Sequence, residues 1–190
     1  MADVTTGTGR TAPVAVRAIG LAVLSVLTWK LLARGFTLQG GTLLGFISLV
    51  DLVFHEAGHM IFGFFGSFIA ALGGSLNQVL VPAVCTVAFL RQRQVAAAAV
   101  TLFWTGENIL GVATYVADGR AMRLPLYAEG LTHDWNFLLA RLGWLAWAEA
   151  LGRLVFVAGA LTLLAALGLL TLDTARCWNA RAEGPARLPP

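Results

Sequence analysis

His55-Glu56-Ala57-Gly58-His59 is an HExxH pentapeptide. On a helix, residues i and i+4 stand one above the other, so His55 and His59 can close on one zinc ion. Glu56 then lies beside the metal, placed to act as general base on a bound water. The five residues fall within a long apolar stretch, where ionisable groups are costly and mark a functional site. The competing reading makes both imidazoles hydrogen-bonded packing residues between helices, and it leaves the cost of Glu56 unexplained.

Catalytic zinc takes three protein ligands and keeps one position open. The chain has three histidines, so His133 is the only imidazole left and is the first expectation for the third ligand. Asp134 beside it can ligate or orient a ligand. Glu107 and Asp118 are further candidates. If the spans carrying His55 and Asn108 run parallel, both residues lie about 13 residues in and share a depth. Asp51, one turn before His55, can hydrogen-bond the second nitrogen of that imidazole, or pair elsewhere in the bundle. Ser75, Asn77 and Gln78 can offer hydrogen bonds to a substrate or to a developing oxyanion. Equally, they can satisfy backbone freed at the neighbouring glycines.

These groups must be held by membrane helices. The 190 residues are 58% hydrophobic and only 12% charged, with mean hydropathy +0.77, whereas a soluble domain carries about 25% charge. Leu154 to Leu172 and Met60 to Leu90 contain no charged residue, and about 20 apolar residues suffice to cross a bilayer. The expected fold is an all-α membrane protein with about five transmembrane helices and an interfacial amphipathic helix. The spans are Val14 to Ala33, Thr42 to Phe65, Phe68 to Leu90, Val95 to Ala117 and Leu151 to Leu172. Gly73-Gly74-Ser75 and Pro82 interrupt the third, which is therefore expected to be broken or re-entrant. Trp135, Leu138, Leu139, Leu142, Leu145 and Trp147 against Asn136, Arg141 and Glu149 give the amphipathic helix, over His133 to Trp147. Thr101, Thr105, Asn108, Tyr115 and Asp118 form a polar stripe on the fourth span, expected to face the interior.

Residues 13–179 are read as one membrane domain between disordered tails, 1–12 and 180–190. The net charge of +3 does not call for nucleic acid, because the arginines flank apolar runs as topology signals do. Their small bias favours a C-terminus inside, with the two termini on opposite sides of a bacterial inner membrane. Cys85 and Cys177 make neither a disulfide framework nor a metal motif.

Phe54 to His59, followed by a glycine-interrupted apolar segment, resembles the site-2 protease family of intramembrane zinc metalloproteases. The resemblance covers mainly residues 50–82. It implies His55 and His59 as zinc ligands, Glu56 as general base, an aspartate from a later span as third ligand, and membrane-embedded peptide substrates. That family carries an Asn-Pro-Asp-Gly-like motif in its later segment. Here Asp118-Gly119 follows Val116-Ala117, and His133-Asp134-Trp135 has no counterpart there. The alternatives are a non-catalytic metal-binding subunit of a larger complex and a haem or pigment protein. Histidines at i and i+4 face one way and cannot grip both sides of one haem iron.

Overall fold

A computed structural model describes residues 13–36, 42–124 and 133–182. It contains six α-helices: α1 Val14–Arg34, α2 Thr42–Phe62, α3 Ser67–Arg91, α4 Val95–Asp118, α5 Asp134–Leu142 and α6 Ala148–Ala182. No strand occurs among the described residues. All but α5 are long and apolar enough to cross a membrane, and the chain is an integral membrane protein of the all-α class.

The apolar runs become helices because a bilayer offers backbone groups no water, and a helix satisfies them internally. Small residues then set how closely the helices approach. A Cβ on Gly58 of α2 would overlap the Gly73 carbonyl of α3, and one on Gly73 would strike Phe62. Likewise Gly106 and Gly159 let α4 and α6 interlock around Leu163 and Leu110. The core lies along this seam, where Leu24, Leu31, Phe103, Leu110, Leu163 and Leu170 pack together.

The third span is not broken. α3 runs unbroken through Gly73-Gly74 and through Pro82. The two glycines serve close contact with α2 rather than a chain break. Pro82 lacks the N–H that the Gln78 carbonyl would accept, and Thr86 Oγ1 donates to the Pro82 carbonyl at 2.9 Å. The amphipathic stretch is also shorter than expected. α5 ends at Gly143, whose left-handed backbone (φ 70°) lets the chain turn, and a short 3-10 turn over Leu145–Trp147 leads into α6.

α6 is longer than the expected span. Its 35 residues extend about 52 Å at 1.5 Å per residue, against a hydrocarbon core of about 30 Å. Ala180 to Ala182, expected in a disordered tail, belong to this helix. The remainder of that tail, the N-terminal tail 1–12 and residues 125–132 lie outside the described residues.

Helix directions follow from paired contacts. α4 and α6 are antiparallel, with Gly106 beside Leu163 and Gly152 beside Ala117. α1 and α6 are antiparallel too: Arg17 Nε lies 2.8 Å from Asp173 Oδ2, and the Phe36 and Phe156 rings are 5.3 Å apart. α2 runs parallel to α4, since Asp51 meets Trp104 and Asn108 while His55 faces Tyr115. Hence α1, α2 and α4 point one way and α3 and α6 the other. Strict alternation would put the start of α1 and the end of α6 on opposite sides. The packing puts them at the same end, and residues 37–41, which join α1 to α2, lie outside the described residues.

Candidate metal centre

Three elements converge at the pentapeptide. His55 and His59 share a face of α2, with ring centroids 4.7 Å apart. α5 adds Asp134, whose Oδ2 lies 3.0 Å from His55 Nε2 and 3.4 Å from His59 Nε2. α3 supplies the floor. A Cβ on Gly74 would come within 2.7 Å of His55 Nε2 and of His59 Cε1, so only glycine leaves room for both rings.

The outer nitrogens are committed. His55 Nδ1 lies 2.7 Å from Gln78 Oε1, and His59 Nδ1 lies 2.8 Å from the Ala70 carbonyl. Both partners are acceptors, so each Nδ1 carries the proton and donates it. In a neutral imidazole that leaves Nε2 as a bare lone pair. Burial opposes charge on the Asp134 carboxyl, but the hydrogen-bonding imidazoles outweigh it and hold that carboxyl below the ordinary range. Three electron-rich atoms therefore face one another, a repulsive arrangement unless protons or a cation lie among them.

A metal ion suits this donor set. The three ligand atoms lie within 4.8 Å of one another. Donors held at about 2.0–2.2 Å from a tetrahedral zinc stand about 3.3–3.6 Å apart. The 3.4 Å separation falls in that range and the 3.0 Å one is a few tenths short. Acceptors behind each imidazole are the usual way of fixing the ligating nitrogen.

His133, expected as the third ligand, is not brought to the cluster. It is the N-cap of α5: Nδ1 accepts from Asn136 N–H at 3.2 Å, and Nε2 donates to Asp118 Oδ2 at 3.3 Å. Both nitrogens are used and the residue is 4% exposed, which leaves no lone pair for a metal. Asp118 is consumed in turn, accepting from the backbone N–H groups of Arg123 and Leu124. Glu107 lies one turn away from the site, level with Asp51 rather than with His55. Asp51 does not orient His55; it accepts from Trp104 Nε1 at 2.7 Å and from Asn108 Nδ2 at 3.0 Å.

The polar trio on α3 is likewise tied into structure rather than offered to a substrate. Gln78 holds His55, Asn77 Nδ2 donates to the Phe54 carbonyl at 2.7 Å, and Ser75 Oγ accepts from Trp135 Nε1 at 3.0 Å. The α4 stripe does face inward, and its Tyr115 reaches the site. The hydroxyl accepts from Asp134 N–H at 3.4 Å while the ring lies against His133, centroids 4.2 Å apart. Gly74 and the Ala70 carbonyl carry no motif. The available signals were the α4 stripe for Tyr115 and the glycine pair for Gly74, since small residues in a membrane helix also mark close approach.

Glu56 points away from the packed interior and is exposed. It shares its face of α2 with Phe46, Leu49, Val53 and Met60, all more than half exposed. One carboxylate thus stands in an apolar, outward stripe, and its charge acts on the neighbouring His59 ring. No known protein family matches this chain, and neither a curated protein nor a solved structure is similar to it.

Proposed function

We propose that this protein is an intramembrane zinc metallopeptidase acting on membrane-embedded peptide segments. The observation that carries the reading is the convergence of His55 Nε2, His59 Nε2 and Asp134 Oδ2, with Glu56 adjoining on the outward face of α2. Two imidazole nitrogens and a carboxylate oxygen are a catalytic zinc set, three ligands and an open fourth position. Zinc bound there would polarise a water and the scissile carbonyl.

The chain's own groups supply the rest. Glu56 takes the proton of the attacking water and returns it to the leaving amine. Gln78 and the Ala70 carbonyl fix the imidazole rings, and the Tyr115 hydroxyl fixes the backbone at Asp134. The apolar stripe around Glu56 favours a substrate that arrives from within the bilayer. This agrees with the likeness of Phe54 to His59 to site-2 proteases, with Asp134 in the role their later aspartate plays.

Metal analysis of the purified chain tests the proposal together with Glu56→Gln. About one zinc per chain is expected, retained in Glu56→Gln while cleavage of a membrane-peptide substrate disappears. A wild-type protein free of metal, or a Glu56→Gln variant that still cleaves, overturns it.

A further inference from the structure

A second polar cluster lies one helical turn from the histidines, between α2 and α4. Asp51 is 7% exposed, Glu107 4% and Asn108 1%. Asp51 Oδ1 accepts the two N–H groups of Trp104 and Asn108, and the Glu107 carboxyl faces the Asp51 carboxyl. Two oxygens here are buried without any hydrogen-bond partner, Glu107 Oε2 and Asn108 Oδ1. Orphan acceptors in an apolar interior are rare, and each requires an explanation. The Asn108 amide N–H groups are already spent, on Asp51 and on the Trp104 carbonyl.

We propose that Asp51, Glu107 and Asn108 form a second cation site, which takes a monovalent hard cation of the sodium class. Its donors are carboxylate and amide oxygens without imidazole or thiolate, a set that suits hard cations rather than zinc. Charge selects the valence. The Glu107 carboxyl hydrogen-bonds to the Asp51 carboxyl, a contact that needs one proton between the two. A monovalent ion takes the place of that proton with no change in net charge, whereas a divalent ion adds a positive charge in a medium that penalises it. Water completes the coordination. The ion clamps α2 to α4 just below His55, independently of whatever the histidine cluster holds.

Thermal unfolding of the full chain in detergent, in sodium, potassium or choline chloride at equal ionic strength, reads the site directly. Sodium should raise Tm saturably, as a ligand of the folded state does, and choline should not. Glu107→Gln and Asp51→Asn should each abolish that difference without altering zinc content. His59→Ala, which removes a proposed zinc ligand, should keep it, so the two sites fail separately. Should a carboxylate variant not fold, sodium-23 relaxation of the wild-type protein, with choline as blank, shows binding or its absence. A Tm indifferent to the cation, a response that follows pH alone, or a sodium response surviving in both carboxylate variants overturns the proposal.

Discussion

An imidazole can serve a metal only through a free lone pair, and His133 has none. Its two nitrogens close the α5 cap and the Asp118 turn, while Asp134, the next residue, turns its carboxylate onto both motif histidines. The two neighbours should therefore separate cleanly on mutation. Asp134→Ala should abolish stoichiometric zinc in metal analysis. His133→Ala should keep the zinc and cost stability of about 1 kcal/mol, the usual worth of an N-cap, read from thermal melts. Gln78 makes a subtler case, since it touches only the far nitrogen of His55. Gln78→Leu should weaken zinc affinity by about 10–100-fold with little change in fold, measured by competition with a chelator. An unchanged affinity would show that His55 needs no support from α3.

At the scale of elements, α3 fits closely against α2. Gly58 and Gly73 bring the backbones together, and Gly74 leaves the volume that the two imidazoles fill. Gly74→Ala should displace the rings and remove zinc while the helices persist by circular dichroism. Zinc retained at wild-type affinity would contradict the close fit described here. Much of this arrangement was legible in the chain. The uncharged runs mark the spans, the i, i+4 spacing sets both histidines on one face, and the α4 polar stripe points inward. The third ligand was not legible. His133 and Asp134 are adjacent, and only the rotation of α5 on its Trp135–Ser75 and Asn136–Gly119 hydrogen bonds decides which one enters the site. Similarly, Gly73-Gly74 and Pro82 resemble helix breakers in isolation. Contact with α2 makes the glycines an asset, because the apolar surroundings leave a broken backbone nowhere to hydrogen-bond.

For the whole molecule, the least expected feature is the placement of α1. The positive charges flanking the spans divide almost evenly between the two sides, so the positive-inside rule had little on which to decide. Packing decides instead, through Arg17 against Asp173 at one end and Phe36 against Phe156 at the other. Arg17 is 7% exposed, and a charge buried that deeply needs its partner. Asp173→Ala alone, which leaves Arg17 buried and unpaired, should destabilise the bundle by about 3–5 kcal/mol, and the double replacement with Arg17→Ala by less, because an unpaired buried charge costs more than a missing pair. The same contact allows a test of direction. With Cys85 and Cys177 first replaced by serine, cysteines at 17 and 173 should be joined within one chain by a short thiol crosslinker. The product should run as a compact monomer on a denaturing gel and revert on reduction of a cleavable linker. A chain whose α1, Val14–Arg34, runs the other way would carry position 17 to the level now held by Leu31, about 21 Å along the helix from position 173. No short linker bridges that distance, so absence of the crosslinked monomer would reverse the direction assigned to α1 while leaving the histidine cluster, built from α2, α3, α4 and α5, as described.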